Sequence, residues 1–203
     1  MFKTLINAFK VEDIRKKLIY TFLMLIIIRI GSQLPVPGVN RDYFAAWFAA
    51  QNNGAFNFFD AFTGGSFSSM SLFALGVNPY ITSSIIVQLL TIAIPALEEM
   101  QKDGEDGKEK LQKITRYLTI VLALIEAVAM TIGFYRSNYL TSKTPLTVLM
   151  VIASLTAGSA VLMWIGERIT EKGIGNGISI VLVINIISLL INIIIFLIFH
   201  YVG

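Results

Sequence analysis

The sequence predicts an all-α polytopic membrane protein with five transmembrane helices. Two observations predict this class: 55% of the 203 residues are hydrophobic, whereas only 14% are charged, and the mean hydropathy is +0.72. Soluble domains carry about 25% charged residues, so this composition excludes a soluble enzyme, a disordered protein and a nucleic-acid-binding domain. The chain has no Cys, which excludes disulfides, thiol nucleophiles and thiolate metal sites.

Five segments are apolar on every face and long enough to cross a bilayer, which takes roughly 20 residues as a helix. They cover residues 18–34, 73–94, 117–135, 146–165 and 178–199. Because none of them keeps a polar face for water, we expect a helical membrane bundle over residues 18–203, preceded by a short N-terminal segment at 1–17.

The Lys and Arg residues between the predicted spans set the orientation. Twelve of the 16 lie in the N-terminal segment, in the loop 95–116 and in the loop between spans four and five, whereas three lie on the alternate side. Short cytoplasmic loops carry this excess of positive charge. We therefore expect residues 1–17 to be cytoplasmic and the segment 35–72 to be external.

Three connections have distinctive compositions. Residues 58–71 favour a short half-helix with a Gly-Gly hinge against a cavity, or alternatively an amphipathic helix on the membrane surface. The loop 95–116 alternates in charge and favours a solvated helical hairpin, with a docking surface as the alternative. The glycines of 173–177 lack the Lys-Ser/Thr of a phosphate-binding loop and indicate a turn between helices.

Ionisable residues inside spans usually face the bundle interior or an aqueous path. Arg29 in span one and Glu126 in span three are the two here, and their expected depths differ by about 3 Å at 1.5 Å per residue. We hypothesise an ion pair between them, or at least a polar interior that they share. The alternative is that Arg29 extends to the headgroups while Glu126 is protonated or paired outside this chain.

Spans two and five carry patterned polar and aliphatic residues. Asn78-Pro79 favours a helix start inside the membrane, with Asn as the cap. Aliphatic pairs four residues apart share a face at Ile81/Ile85 and at Leu182/Ile186, and periodicity leaves open whether they pack or form a water-excluding constriction. Within span five, Asn185, Ser188 and Asn192 form a polar stripe at helical spacing. In span four, the small residues at 157–160 predict a close helix-packing surface.

No catalytic set or metal-ligand spacing is present, and the sole His, His200, has no acidic neighbour in sequence. The sequence therefore predicts a protein that is not an enzyme and has no metal or other cofactor.

Four motifs resemble the SecY family of bacterial protein-conducting channel subunits. They are RIGSQLPVPG at 29–38, FALGVNPYI at 73–81, IIVQLL at 85–90 and GIGNGIS at 173–179. The resemblance covers residues 1 to about 187. It implies a clamshell of two inverted five-helix halves around an hourglass pore, of which this chain is the N-terminal half.

The resemblance also implies roles for particular residues. Residues 59–71 correspond to an external plug, which includes Phe59, Phe62, Gly64, Gly65 and Phe67. This half of the channel would contribute Ile81, Ile85, Leu182 and Ile186 to the pore ring. Span two, with Thr82, Ser83 and Gln88, corresponds to part of a lateral gate that binds signal sequences.

The implied function is translocation of unfolded secretory proteins across the bacterial plasma membrane and insertion of membrane proteins into it. The implied partners are SecE, SecG, the ATPase SecA or a ribosome, signal sequences and nascent chains, membrane lipid, and a second SecY half, with no direct reading of nucleic acid. One half cannot enclose a pore, so the chain is a fragment, a half completed by another chain, or a truncated inactive product. Half of an inverted-repeat secondary transporter is the alternative class.

Overall fold

The structure is a computed structural model that describes residues 11–50 and 54–188. Helices dominate this part of the chain. In chain order they are α1 Glu12–Gly31, α2 Arg41–Ala50, α3 Gly54–Thr63, α4 Asn78–Ala93, α5 Pro95–Lys102, α6 Gly104–Arg136, α7 Pro145–Lys172 and α8 Gly177–Ser188. The only extended pairings among the described residues are two isolated bridges, Pro35 with Ser71 and Val39 with Leu140.

Two described helices, α6 and α7, are long and apolar enough to cross a membrane. The bent pair α4 and α5, which turns by 103° at its break, provides a third candidate span. The mostly helical membrane class is therefore confirmed at the level of two or three spans. Of the predicted fifth span only residues 178–188 are described; the remainder, with Asn192 and His200, lies outside the described residues, as do residues 1–10 of the predicted N-terminal segment.

The predicted span boundaries differ from the helices in several places. Helix α6 begins 13 residues before the predicted start of span three, at Gly104, and α7 continues seven residues beyond the predicted end of span four, to Lys172. These extensions carry charged residues that a hydropathy criterion excludes from a span. Part of the region predicted as the loop 95–116 is therefore the first turns of α6.

Span two does not begin as a helix. Residues 72–77 form turns, and α4 begins at Asn78 with Pro79 in its first turn. The predicted position of the helix start is confirmed. Pro is tolerated there because the first turn of a helix requires no hydrogen bond from its backbone nitrogen. The predicted cap by Asn78 is wrong: Val77 occupies the cap position, no side chain caps the helix, and the Asn78 amide donates back to Leu75 O at 3.5 Å.

The predicted helical hairpin is present. Helices α5 and α6 meet at Asp103 and Gly104, where Gly104 adopts a φ of +72°. Gly107 faces back onto α5 so closely that a Cβ there would overlap the carbonyl of Met100. The close packing of α5 against the start of α6 therefore depends on the glycine in the first turn of α6.

The paired helices α6 and α7 are joined by a carboxylate. Glu167 is 6% exposed and accepts from Arg116 Nε at 2.8 Å and from Gln112 Nε2 at 3.2 Å. Its neighbour pair, Arg168 with Glu171, is solvent-accessible at both ends. A buried charge needs a partner to offset its desolvation, so we infer that Glu167 fixes the relative position of the two helices.

The small residues of α7 form a packing surface, but it meets non-helical backbone and not the second helix that the sequence predicts. A Cβ on Gly158 would overlap the carbonyl oxygen of Leu72, and the Ser159 hydroxyl donates to Gly76 O at 3.3 Å. Both residues are buried. The absence of a side chain at Gly158 therefore lets the non-helical residues between α3 and α4 lie directly on α7.

The turn at 173–177 joins α7 to α8, again as predicted. The amide of Ile174 donates to Thr21 Oγ1 of α1 at 3.2 Å, and the amide of Gly177 donates to Thr170 Oγ1 at 2.8 Å. Asn176 Oδ1 accepts from the amide of Ser179 at 3.2 Å and caps the first turn of α8. These contacts fix where α8 starts relative to α1 and α7.

We expect Glu167→Ala to lower the free energy of unfolding by about 1–3 kcal/mol, because it leaves Arg116 and Gln112 without their buried acceptor. The matched control is Glu171→Ala, which removes an exposed pair and should change stability by less than about 0.5 kcal/mol. Thermal unfolding of the detergent-solubilised protein measures both. Equal effects would contradict the role given to Glu167.

Gly158→Ala should destabilise the protein by about 1–3 kcal/mol, since its methyl group overlaps a backbone carbonyl that cannot rotate away. Gly133→Ala on α6 is the control, because no heavy atom lies within 4 Å of its Cβ position. That change should be neutral or stabilising by about 0.5–1 kcal/mol through helix propensity. Unfolding temperatures of the two variants, measured side by side, test the difference.

Candidate functional site

Residues 64–77, which we call the turn segment, connect α3 to α4 and are not helical. Their backbone is bonded to protein on several sides. Val36 N donates to Met70 O at 3.1 Å, and Leu72 N donates to Leu34 O at 2.8 Å. Non-helical backbone at membrane depth is tolerated only where protein or a water-filled cavity satisfies it. The segment meets that condition through its neighbours.

The start of the turn segment is organised by the last turn of α3. Asp60 Oδ1 accepts from the amide of Ser68 at 2.8 Å, and Thr63 Oγ1 accepts from the amide of Phe67 at 3.1 Å. Asp60 and Thr63 are both buried. Gly64 and Gly65 follow with φ values of +66° and +83°, a region that L side chains rarely adopt. The chain reverses at these two glycines.

Of the predicted plug residues, Phe59 and Phe67 lie together and Phe62 lies apart. The rings of Phe59 and Phe67 meet edge to face with centroids 5.0 Å apart, whereas Phe62 pairs with Phe58 at 4.7 Å. The predicted half-helix and its Gly-Gly hinge are present, with α3 beginning already at Gly54. The residues after the hinge form turns, because Asp60 and Thr63 take the amides that a continuing helix would use.

Arg29 and Asn185 join α1, α8 and the end of α3. Arg29 Nη2 donates to Ile184 O at 2.8 Å and to Asn185 Oδ1 at 3.0 Å. Asn185 is 3% exposed, and its Nδ2 donates to Phe62 O at 3.0 Å. The guanidinium therefore bonds neutral acceptors on α8, and the Asn185 amide also bonds the carbonyl of Phe62 near the end of α3.

The hypothesised ion pair between Arg29 and Glu126 is wrong. Among the described residues no salt bridge joins them, because the Arg29 head group turns toward α8. Glu126 instead lines a cavity of about 450 Å³, which we call the aromatic cavity. Its walls include the rings of Phe44, Trp47, Phe56, Phe59, Phe67, Phe134 and Tyr139.

The predicted ring residues come together in part. A cavity of about 340 Å³, which we call the aliphatic cavity, lies between α4, α7 and α8 and is lined by Ile81, Ile85 and Leu182. Ile186 does not line it and is 37% exposed on α8. The remaining lining is mostly polar, and this polar wall includes Tyr80, Ser84, Gln112, Glu167, Thr170 and Asn176. Ile85 is 52% exposed, so the cavity is open beside it.

The three residues predicted for a gate in span two face different directions on α4. Ser83 is fully buried and its hydroxyl donates to Pro79 O at 2.7 Å. Thr82 and Gln88 are exposed, and the Gln88 amide donates to Ser84 Oγ at 3.4 Å. Ser83 therefore satisfies its own helix, whereas Thr82 and Gln88 belong to the free surface of α4.

Sequence reasoning missed several contacts at the site. It identified Asn185 as part of a polar stripe but not as the partner of Arg29, and it gave no role to Asp60 or Thr63. Asp60 and Thr63 three residues apart before a Gly-Gly pair are a local signal of side-chain bonding to turn amides. No local signal links Arg29 to Asn185, which are 156 residues apart.

Comparison with known proteins finds relatives over most of the chain. The SecY family model matches residues 71–202. The protein translocase subunit SecY of Halalkalibacterium halodurans is 49% identical over 187 residues, which are 90% of this chain and 42% of that protein. The chain thus spans less than half the length of this relative.

Two solved structures are similar in fold. Sec61 from the canine ribosome-channel complex of the endoplasmic reticulum superposes with a TM-score of 0.62 at 25% identity, over 84% of this chain and 36% of the Sec61 chain. A SecY structure superposes with a TM-score of 0.56 at 26% identity, over 81% of this chain and 33% of that one. It is described as showing that the plug domain stabilises the closed channel and maintains a membrane seal.

Two single substitutions, Gly64→Ala and Gly65→Ala, test how closely the hinge lies on Arg29 and Asn185. Both substitutions place a Cβ at positive φ, which destabilises the protein by about 1–2 kcal/mol. Only at Gly64 does the Cβ also meet Arg29 Nη1 and Asn185 Cα, each at 3.1 Å, whereas nothing lies within 4 Å at Gly65. We expect Gly64→Ala to be the more destabilising by about 1 kcal/mol or more, measured by thermal unfolding. Equal losses would contradict the close approach.

Proposed function

Because the chain belongs to the SecY family, we propose that it forms the N-terminal half of a protein-conducting channel in the plasma membrane of a bacterium. The channel translocates unfolded secretory proteins across the membrane and inserts membrane proteins into it. The family model covers residues 71–202, which include the second half of the turn segment, all of α4 and all of α8. The chain acts as a conduit and not as a catalyst.

The aliphatic cavity carries this proposal. Ile81, Ile85 and Leu182 line it from two different helices, and the exposed Ile85 marks its open side. A second half facing this side completes a ring of branched aliphatic side chains, with Ile186 joining it from the next turn of α8. Such a constriction excludes water yet binds no particular sequence strongly, which suits a channel for diverse polypeptides.

The end of α3 and the first eight residues of the turn segment supply the plug, from Phe59 to Ser71. Its hydrogen bonds to α3 and to the residues after α1 support a plug that is seated in the resting channel. The exposed side of α4, with Thr82 and Gln88, supplies one edge of the lateral gate. A hydrophobic signal sequence reaches lipid by passing this edge, while the buried Ser83 stabilises the helix behind it.

Five membrane spans and a cytoplasmic N-terminus complete the proposed topology. Helices α1 and α8 supply the spans at the two ends, and α4, α6 and α7 supply the rest. The excess of Lys and Arg in the N-terminal segment, around the α5–α6 hairpin and after α7 supports this orientation. The plug then lies at the external side, and the polar wall of the aliphatic cavity faces the cytoplasm.

The proposed partners follow from the family. SecE and SecG are the membrane subunits, SecA or a translating ribosome supplies the driving force, and a second SecY half closes the pore. The similarity to Sec61 from a ribosome-channel complex supports a ribosome as one partner. In the secondary-transporter alternative, Arg29 and Glu126 would serve together as ion-coupling residues, and their separate surroundings give this alternative no support.

A thiol at Ile85→Cys should crosslink to a secretory polypeptide arrested during translocation, because the proposed ring contacts the moving chain. The protein has no Cys, so the introduced thiol is unique. Membranes in which the protein is assembled with its partners are treated with a thiol-reactive crosslinker and the adducts are resolved by size.

Leu149→Cys on α7 is the matched control, since Leu149 is 65% exposed and apolar but does not line the aliphatic cavity. We expect abundant adducts from Ile85→Cys and few or none from Leu149→Cys, because only the thiol at position 85 lies where the proposed ring contacts the moving chain. Equal or absent adducts at both positions would overturn the channel assignment.

A further inference from the structure

We propose that Arg29 and Asn185 form a latch that holds the plug closed and releases it when α8 moves outward. We call these two side chains the plug latch. The inference rests on the proposed function, in which residues 59–71 are the plug and Leu182 and Ile186 belong to the ring. It adds positioning residues and a coupling that the family resemblance does not supply.

The latch bonds the plug through a single donor, the side-chain amide of Asn185. Asn185 Nδ2 donates to Phe62 O at 3.0 Å, at the last turn of the plug helix. Asn185 Oδ1 accepts from Arg29 Nη2 at 3.0 Å, and the same nitrogen donates to Ile184 O. The Arg29 bond fixes the amide with its oxygen toward α1, so its nitrogen points at the plug. An Asn side chain serves both directions because it carries a donor and an acceptor.

The contact is also close. The Cβ position of Gly64 is 3.1 Å from Asn185 Cα and 3.1 Å from Arg29 Nη1. The hinge of the plug therefore lies on the backbone of α8 and on the guanidinium with no room between them. A shift of α8 by more than a few tenths of an ångström changes both the hydrogen bond to Phe62 and the packing at Gly64, because hydrogen bonds weaken steeply outside a narrow range of geometry.

The position of Asn185 on α8 couples the latch to the ring. Leu182 precedes Asn185 by three residues, and Ile186 follows it directly. A polypeptide that enters the ring displaces these aliphatic side chains outward together with the helix that carries them. Helices move as rigid elements on this scale, so Asn185 leaves Phe62 O and the plug is released. The pore thus opens its own seal only when a chain occupies it.

A buried thiol reports release of the plug. Ser66 is 1% exposed, and its hydroxyl has no hydrogen-bond partner among the described residues, so Ser66→Cys removes no described bond. In a chain without other Cys, N-ethylmaleimide labels this position only when the plug opens. The labelling rate then follows the open population when opening and closing are fast. Quenched samples are back-titrated with a polyethylene-glycol maleimide and read by gel shift.

The discriminating variant is Asn185→Asp in the Ser66→Cys background. The carboxylate still accepts from Arg29, which keeps α1 and α8 joined, but it cannot donate to Phe62 O and repels that carbonyl. We expect labelling about threefold to tenfold faster than with Asn185, the effect of losing one hydrogen bond. Ser188→Ala, on the same helix and without a hydrogen bond among the described residues, is the control and should leave the rate unchanged.

Asn185→Ala is the second variant and should also accelerate labelling, so a folding defect of Asn185→Asp does not leave the latch untested. Assembled protein with an unchanged size-exclusion profile is compared in each case. Labelling rates equal to the control for both Asn185 variants would overturn the latch. This arm uses the resting protein in its membrane and does not depend on transport.

The coupling is tested with a secretory chain arrested in the pore. With Asn185 present, the arrested chain should accelerate labelling of Ser66→Cys; with Asn185→Asp, it should add little, because the latch is already open. A full and equal acceleration in both would overturn the coupling. The two experiments can also disagree. If Ile85→Cys gives no crosslink but the resting Asn185 variants label faster, the channel proposal is overturned and the latch is supported.

Discussion

The structure depends on one constraint, that the turn segment must have its backbone polar groups satisfied inside a bundle of apolar helices. Fourteen residues from Gly64 to Val77 are not helical, and lipid offers their amides and carbonyls no partner. Neighbouring elements of the protein supply the hydrogen-bond partners. The residues after α1 bond to Met70 and Leu72, the side chains of α3 bond to the first amides, and Ser159 of α7 bonds to Gly76.

The surrounding helices are arranged to meet this constraint. Gly158 lets the turn segment lie on α7, and the position of α4 follows because the helix starts only where the turns end. One side of the segment packs into an apolar core shared by α2, α6 and α7, in which Phe44 contacts the rings of Phe67 and Phe134 at 5.6 and 5.4 Å. That core anchors the segment and leaves its Gly-Gly hinge facing α1 and α8.

The charge of Arg29 is satisfied in a way that suits movement. A guanidinium paired with a buried carboxylate would form a strong bond whose separation costs several kcal/mol. Here the acceptors are a backbone carbonyl and an amide oxygen, so separation leaves no second buried charge without a partner. At the other end of the bundle Glu167 does meet a cation, Arg116, and there the helices α6 and α7 form a fixed pair.

The sequence by itself determined the elements whose cause is local. Continuous apolar runs identify α6 and α7, Asn78-Pro79 marks the start of α4, Gly-Gly marks the hinge after α3, and the glycines of 173–177 mark the turn into α8. Each of these depends on residues within a few positions of one another. The family motifs are equally local, and for that reason the resemblance could be recognised without a structure.

The tertiary structure decided which distant side chains meet. Depth along two helices suggested that Arg29 pairs with Glu126, but depth carries no information about rotation around the helix axis. Arg29 faces α8, and Glu126 faces the aromatic cavity. Three of the four predicted ring residues share a cavity because the 173–177 turn, held by Thr21 and Thr170, brings α8 beside α4. Helix rotation and helix neighbours are set by packing across the whole chain, and no spacing within one segment encodes them.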